Sequence, residues 1–212
     1  MMFRYIAIEG PIGVGKTSLA RLLAKEFNAR CILEKPEENP FLPHFYQDRR
    51  KYAFQTQIFF LLNRFQQQKE MAQLDLFNQV TLCDYLFSKD RIFASLNLDE
   101  HELALYEQIY QLLHGQIPSP DLAVFLQARP EVLLHRIKSR NIPYEKEINL
   151  EDLRKLVDAY NYYFFHYDQT PLLVVDTSEI NIVSRKEDLD QLVREIKQMG
   201  KGTFYFIPKR SR

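Results

Sequence analysis

Short apolar segments, each bounded by charged or turn residues, recur along the chain. They are YIAI at 5–8, CIL at 31–33, VTLC at 80–83, LAVFL at 122–126 and LLVV at 172–175. Because successive positions in each segment are apolar, both faces of each strand would be buried, as in a parallel sheet. The pattern predicts a parallel sheet of five strands.

Segments with the apolar spacing of helices lie between these strands. They cover residues 18–27, 52–74, 102–114, 130–138, 150–167 and 187–199. The alternation of strand and helix predicts a three-layer α/β fold with right-handed crossovers and helices on both faces of the sheet. Ligands of such folds bind beyond the carboxyl ends of the strands. The residues that directly follow each strand are therefore the candidates for chemistry.

Composition and charge limit the classes of protein. The chain has 212 residues, of which 46% are hydrophobic, so it can bury a full core, and we expect a single domain over 1–212. Lys plus Arg and Asp plus Glu each number 28, so no net charge attracts a nucleic acid polymer or an anionic membrane. The longest apolar run, IFFLL at 58–62, is too short to span a bilayer, and the first residues lack a signal-peptide core.

The two cysteines, Cys31 and Cys83, are too few for a disulfide framework and lack metal-type spacing. We therefore expect a reduced, cytoplasmic setting. The tail at about 200–212 is basic and aromatic. A terminal strand with a frayed end is favoured there over a binding arm, because a few spaced cations in a neutral protein are a weak signal. We assign the tail no function.

A phosphate-binding motif follows the first strand. Residues 10–17, GPIGVGKT, match G-x-x-x-x-G-K-[ST] between a predicted strand and a predicted helix. The glycines let backbone N–H groups point at a phosphate, and the helix adds its positive end. An incidental lysine in a glycine-rich turn is the alternative, which the strand–turn–helix context disfavours. The residues predicted to bind ATP here are Gly10, Gly13, Val14, Gly15, Lys16, Thr17 and Ser18.

Within this motif, Lys16 is expected to reach the outer phosphates and the Thr17 hydroxyl to coordinate Mg²⁺. Acidic residues follow the next two strands, Glu34 in CILEKPEENPF and Asp84 in VTLCDYLF. A kinase of small molecules needs one acid for Mg²⁺ and another that accepts a proton from the attacking hydroxyl. Taken singly, each acid would be a solvated helix cap, but their shared position relative to the glycine-rich turn favours catalysis. The chain lacks the [NT]-K-x-D motif of a switch GTPase.

Five segments together resemble the deoxynucleoside kinases, the family of deoxycytidine and deoxyguanosine kinases and their bacterial deoxyadenosine and deoxyguanosine relatives. They are GPIGVGKTS, LEKPEENPFLPHFY, YAFQTQIFFLLNRF, CDYLFSKDRIFAS and LLHRIKSRNIPYE. EENPFLPHFY is particularly similar to the bacterial purine-preferring branch. The resemblance runs from the first strand to the helix ending near Met199. It implies a P-loop kinase fold with a helical lid, and transfer from ATP to the 5′-hydroxyl of a deoxynucleoside.

The resemblance also implies roles for single residues. Glu34 matches the general base that takes the proton of the 5′-hydroxyl, and Asp84 matches the acid that holds Mg²⁺. Tyr46 and Glu145 match the pair that hydrogen-bonds the 3′-hydroxyl. The further matches are Gln57, Arg64 and Asp90 around the base, Arg136 and Arg140 as lid arginines with Lys16 in catalysis, and the donor-base loop Glu187 to Leu189 with Asp188.

Physical chemistry agrees with the base-reading set. The amide of Gln57 offers a donor beside an acceptor, which suits an adenine or cytosine edge, and the carboxylate of Asp90 favours an exocyclic amino group. Other interpretations exist. Gln57 and Tyr46 could be ordinary buried residues, and Arg136 and Arg140, four apart, could form a solvated helix face. Which of deoxyadenosine, deoxyguanosine and deoxycytidine is preferred stays open.

Two positions depart from the family pattern. Tyr85 stands where many members have an arginine that touches the 5′-oxygen and phosphate, and Ile142 stands where many lids have an extra arginine. Two other functions stay open at this point. A thymidylate-type monophosphate kinase shares the fold, but it would demand an arginine at Tyr85. In a non-catalytic ATP-binding module, Glu34 would have no function.

The helices predicted at 52–74 and 102–114 carry apolar faces, in IFFLLNRF and ELALYEQIYQLL. The resemblance implies that these faces form a homodimer through a helical bundle. The alternative is that they only pack on the sheet. The expected partners are a deoxynucleoside, ATP with Mg²⁺, and a second copy of the chain.

Overall fold

The computed structural model describes residues 3–74, 80–180, 182–183 and 185–206. Its sheet has the strand order β2-β3-β1-β4-β5-β6, and every neighbouring pair is parallel. The strands are β1 (Tyr5–Glu9), β2 (Arg30–Ile32), β3 (Thr81–Cys83), β4 (Leu122–Gln127), β5 (Leu172–Asp176) and β6 (Thr203–Phe206). The predicted parallel α/β fold is confirmed.

The number of strands was predicted wrongly, because the sheet has six strands and not five. The additional strand, β6, comes from the basic aromatic tail and pairs with β5 at the edge of the sheet. The terminal strand favoured for this tail is therefore present at Thr203–Phe206, whereas residues 207–212 lie outside the described residues. Three of its four residues are exposed, so it lacks the two-sided burial on which the prediction relied.

Helices separate the strands, as the apolar spacing predicted. They are α1 (Lys16–Glu26), α2 (Leu42–Gln47), α3 (Arg49–Leu74), α4 (Lys89–Asn97), α5 (Glu100–His114), α6 (Pro130–Arg140), α7 (Leu150–Phe165) and α8 (Lys186–Gln198). Short 3₁₀ helices cover Pro36–Glu38 and Pro143–Glu147. The sequence analysis missed α2 and α4, and placed the start of α5 too late. Asp99 fixes that start because its side chain accepts hydrogen bonds from the N–H groups of His101 and Glu102.

The core lies on both faces of the sheet. Ile6 and Ile8 of β1 join one apolar cluster with residues of α1, α6 and α8, whereas Tyr5 and Ala7 join another with residues of α3, α4 and α7. This alternation follows from the two-residue repeat of a strand. It explains why the strands read as continuous apolar runs, and it confirms the three-layer architecture. In the described part of the chain, every helix is too short or too polar to cross a lipid bilayer.

Candidate active site

The glycine-rich turn joins β1 to α1 and packs against α6 and the end of β4. A Cβ atom on Gly10 would lie 2.4 Å from the carbonyl oxygen of Leu126, and one on Gly13 would lie 2.8 Å from Cγ1 of Ile137. Gly13 also has a φ of +85°, which favours glycine. The turn therefore approaches its neighbours too closely for side chains, and its shape is fixed by these contacts.

Lys16 begins α1 and lies inside the turn. Its ammonium donates hydrogen bonds to the carbonyl oxygens of Gly10, at 2.7 Å, and Pro11, at 3.3 Å. Burial, together with the positive charge of Lys89, lowers the pKa of Lys16 to about 8. A phosphate in the turn would supply the anion that this buried ammonium lacks.

A fully buried carboxylate, Glu9, lies at the end of β1 directly before the turn. It accepts hydrogen bonds from the N–H of Gly10 at 2.7 Å, the N–H of Leu86 at 2.8 Å and the hydroxyl of Tyr160 at 3.1 Å. Glu9 thus connects the phosphate-binding turn to the segment after β3 and to α7. The sequence analysis did not single it out, although an acid at the end of a buried strand was the signal used for Glu34 and Asp84.

Asp84 connects the turn to the residue that follows β2. The hydroxyl of Thr17 donates to Oδ2 of Asp84 at 2.5 Å, and the backbone N–H of Glu34 donates to Oδ1 at 2.7 Å. A hydroxyl and a carboxylate are hard oxygen ligands, and Mg²⁺ binds through one or two carboxylates together with substrate phosphates. Thr17 and Asp84 therefore fit a Mg²⁺ ion whose remaining ligands are phosphate and water. Within the described residues no cluster of three acidic, histidine or cysteine side chains could hold a metal by itself.

Glu34 lines the cavity, and cations bind both of its carboxylate oxygens. Arg64 donates to Oε1, with its Nε at 2.9 Å, and Lys89 donates to Oε2 at 2.9 Å. Burial by itself raises the pKa of Glu34, but the charges of Arg64 and Lys89 and their hydrogen bonds outweigh burial and bring the pKa well below its usual range. Glu34 is therefore an ionised carboxylate that can accept a proton.

Arg64 is shared by two acidic side chains. Its guanidinium is also ion-paired with Asp90, which is entirely buried on α4. The guanidinium lies 4.8 Å from the ring centroid of Phe60 and 5.8 Å from that of Tyr85. Tyr85 is buried too, and its hydroxyl donates to Gln67 at 2.9 Å. Tyr85, which stands where many family members have an arginine, therefore points into the protein interior.

These side chains surround one cavity of about 460 Å³. Of the residues predicted to form the site, all line this cavity except Gly10, Asp90 and Asp188. Gly10 shapes the turn and Asp90 acts through Arg64. The remaining wall next to Gln57 and Glu34 includes side chains that the sequence analysis did not select, namely Phe60, Lys89 and Phe93.

The sugar end of the predicted site contains Tyr46 and Glu145. The ring of Tyr46 stacks on that of Tyr144, with centroids 5.6 Å apart, and Glu145 pairs with Arg140 at 3.2 Å. Burial raises the pKa of Glu145, while Arg140 and Lys16 lower it. The second lid arginine, Arg136, donates to the carbonyl oxygens of Val14 and Thr177 and to the hydroxyl of Thr177.

The donor-base loop expected at Glu187 to Leu189 needs correction. These residues form the first turn of α8, and Asp188 is buried there and does not line the cavity. Among the described residues between β5 and α8, this side of the cavity is lined instead by Thr177, Ile180, Ile182 and Val183. The helix begins earlier than its apolar pattern indicated, because its first residues are charged.

The fold and the site define a class of protein. A glycine-rich turn, a lysine and a threonine at the first strand, with carboxylates after the second and third strands, all at the carboxyl edge of a parallel sheet, are the parts of a P-loop phosphotransferase. The three-layer fold gives these parts one common edge, and a cavity large enough for a small molecule lies between them.

Comparisons with known proteins identify the family. A family model described as deoxynucleoside kinase matches residues 6–200. The chain is 34% identical over 200 residues to the deoxyguanosine kinase of Bacillus subtilis (strain 168), covering 92% of this chain and 97% of that protein. It is 36% identical over 197 residues to the deoxyadenosine kinase of Dictyostelium discoideum, covering 91% and 78% respectively.

A solved structure is similar as well. It is the deoxyadenosine kinase from M. mycoides with the products dCMP and a flexible dCDP bound, which has a TM-score of 0.80 and 25% identity. The match covers 92% of this chain and 100% of that chain. The chain belongs to the deoxynucleoside kinase family and is a phosphotransferase enzyme, so the resemblance found in the sequence is confirmed.

Proposed function

We propose that this chain transfers the γ-phosphate of ATP to the 5′-hydroxyl of a purine deoxynucleoside, with Glu34 as the general base. The observation that carries this proposal is the hydrogen-bonded series from Thr17 through Asp84 to Glu34. It connects Thr17 in the phosphate-binding turn to the backbone N–H of Glu34, and Glu34 lines the same cavity as Lys16. The structure of the M. mycoides enzyme with bound dATP supports a purine nucleotide in such a cavity.

The transfer is a single displacement. The 5′-oxygen forms a bond to the γ-phosphorus, and the bond from phosphorus to the β–γ bridging oxygen breaks, so that its electron pair leaves with ADP. The proton of the 5′-hydroxyl goes to Glu34. In a loose transition state the new bond is weak, and the hydroxyl becomes acidic late in the reaction. A carboxylate of low pKa is sufficient for such a late proton transfer.

The remaining side chains bind and orient. Lys16 and the N–H groups of the turn bind the transferred phosphate. Arg136, which donates to the carbonyl oxygen of Val14 in the turn, and Arg140 also line the cavity. Thr17 and Asp84 would hold Mg²⁺, which neutralises charge on the β- and γ-phosphates when it is bound. Tyr46 and Glu145 receive the sugar.

Purine preference is supported by the relatives and by the wall of the cavity. The relatives described above are deoxyguanosine and deoxyadenosine kinases. In this chain the buried residue Gln57 lines the same cavity as Phe60 and Phe93. A flat base would stack on such a ring while its edge meets the amide of Gln57.

A phosphoryl-transfer assay tests the proposal. Mg²⁺-ATP is offered with each of the four common deoxynucleosides, and thymidine monophosphate is assayed in parallel. We expect turnover of deoxyguanosine or deoxyadenosine above that of thymidine. Turnover of the monophosphate alone would show that the acceptor is misassigned, and turnover of thymidine above both purines would overturn the purine preference.

A further inference from the structure

In the part of the chain that the structure describes, five cationic side chains line the cavity: Lys16, Arg64, Lys89, Arg136 and Arg140. Four of them have partners that the proposed function explains. Lys16 lies in the phosphate-binding turn, Arg64 joins Glu34 to Asp90, and the two lid arginines bind Thr177 and Glu145. Neither the family resemblance nor the proposed mechanism gives Lys89 a role.

Lys89 is the first residue of α4 and is buried. Its ammonium donates to Oε2 of Glu34 at 2.9 Å and lies 5.7 Å from the ring centroid of Phe93, which also lines the cavity. A lysine ammonium has three donors. Within the described residues, Glu34 accepts its only side-chain hydrogen bond, so two donors are available to a ligand in the cavity.

A purely structural ion pair does not account for this position. Glu34 already has a buried partner in Arg64. The ammonium of Lys89 also faces the same cavity as that of Lys16, and two positive charges in one cavity repel each other. Two cations in one buried cavity become favourable when an anion lies between them. A phosphoryl group passing from the turn towards Glu34 is such an anion.

We propose that Lys89 is a further catalytic residue, whose ammonium contacts the transferred phosphoryl group and the attacking 5′-oxygen while it remains bonded to Glu34. This inference rests on the proposed function. Tyr85 cannot supply that cation, because its side chain is turned into the interior. Lys89 reaches the same region from the next helix.

The contact strengthens as the phosphoryl group moves. In the transition state this group lies between the leaving and attacking oxygens with its charge spread over three equatorial oxygens, and the ammonium of Lys89 contacts them there but not while the group is still held in the turn. When the 5′-proton then moves to Glu34, the carboxylate loses its negative charge, and Lys89 interacts with the phosphoryl oxygens alone. An interaction that strengthens during the transfer accelerates the reaction.

The test compares Lys89→Met, which keeps the length of the side chain, with Lys89→Arg, which keeps the charge. We expect Lys89→Met to lower kcat by about 10² to 10³-fold, with the Kd of the deoxynucleoside unchanged, because one electrostatic contact to the transition state is lost. Lys89→Arg should recover most of kcat. The control is Arg91→Met on the same helix, which loses an exposed ion pair with Glu107 and should keep full activity.

A double variant separates direct contact from positioning. If Lys89 only held Glu34 in place, then Lys89→Met would change nothing in a Glu34→Gln background. We expect a further loss of at least about tenfold in that background. Equal rates for Glu34→Gln and the double variant would overturn the direct contact.

Failure of this inference differs from failure of the proposed function. Wild-type protein that phosphorylates no deoxynucleoside would refute the function itself. If Lys89→Met phosphorylates deoxynucleosides with the activity of the wild type, only the role of Lys89 is refuted. If circular dichroism shows that Lys89→Met is unfolded, Lys89→Gln carries the same expectation, because its amide can still donate to Glu34.

Discussion

Arg64 on α3 is ion-paired with Glu34, which lies two residues after the end of the edge strand β2. The same guanidinium also pairs with Asp90, so one arginine neutralises one fully buried carboxylate and one partly buried carboxylate. A guanidinium can do this because its donors are spread in a plane. The folding stability of the protein and the ionisation of Glu34 are therefore linked through one side chain.

Replacement of Arg64 by methionine should destabilise the fold strongly. It leaves Asp90 without its charge partner and Glu34 with Lys89 alone. Breaking a buried pair in this way costs about 3–5 kcal/mol of the free energy of unfolding, measured by urea denaturation. Arg64→Met/Asp90→Asn should recover part of the loss, because the unpaired charge is then absent. This account would be contradicted if Arg64→Met lowered the free energy of unfolding no more than Arg91→Met does.

The lowered pKa of Glu34 predicts a pH dependence of stability. Its folded pKa lies below the unfolded value, so its contribution is complete above the unfolded pKa and is lost as the pH falls towards the folded pKa. Between about pH 7 and pH 3, the free energy of unfolding of the wild type should therefore fall more steeply than that of Glu34→Gln. Parallel curves for the two proteins would show that the pKa of Glu34 is ordinary.

The same substitution tests the proposed base. Glu34→Gln keeps the size of the side chain and an acceptor oxygen for Arg64, but it cannot take up the proton. We expect kcat to fall by about 10² to 10⁴-fold, with little change in the Kd of the deoxynucleoside. Glu37→Gln, an exposed neighbour in the next 3₁₀ helix, is the matched control. Full turnover by Glu34→Gln would exclude Glu34 as the base.

Gly13→Ala should impair nucleotide binding. The new methyl group would lie 2.8 Å from Cγ1 of Ile137 and 3.1 Å from the carbonyl oxygen of Leu133, so the turn or α6 must move. We expect a weaker affinity for ATP in a binding titration and a lower melting temperature. Gly115→Ala is the control, since its Cβ meets nothing within 4 Å and its φ is −68°. Unchanged ATP affinity in Gly13→Ala would show that the contact with α6 is unimportant.

The homodimer remains a prediction, and it can be tested by substituting exposed leucines on the helices that are expected to form it. α5 packs on α3 and α4, yet Leu62, Leu105 and Leu112 remain 47%, 48% and 72% exposed. We expect a dimer by light scattering for the wild type and a monomer for Leu105→Lys/Leu112→Lys. Phe165→Lys on α7, where the phenylalanine is 82% exposed, should remain dimeric. A monomeric wild type at micromolar concentration would refute the dimer.

The fold was predictable where burial and periodicity agree. β1, β4 and β5 are buried on both faces and were read directly from their apolar runs. The helix α4 was missed because two of its buried positions are Lys89 and Asp90. A hydrophobic pattern counts charged residues as exposed, so it fails where a helix buries charges around a cavity.

The sequence predicted those site residues that follow the ends of strands or match the motifs of the family. These signals found Lys16, Glu34 and Asp84, which the structure brings to one cavity. The side chain of Tyr85 points inward, and Lys89 pairs with Glu34, because of how α3 and α4 pack together. The spacing of apolar residues along the sequence carries no information about that packing. Residue roles, Mg²⁺, the single domain and the cytoplasmic location stay predictions.

The buried carboxylate of Glu9 has a consequence for the order in which the protein becomes functional during synthesis. The glycine-rich turn leaves the ribosome early, but Tyr160, one of the three donors to Glu9, lies far along the chain. Until α7 has emerged, the carboxylate at the base of the turn can accept from the N–H groups of Gly10 and Leu86 but not from the hydroxyl of Tyr160. The hydrogen bonds beneath the phosphate-binding turn are therefore complete only after most of the chain has been synthesised.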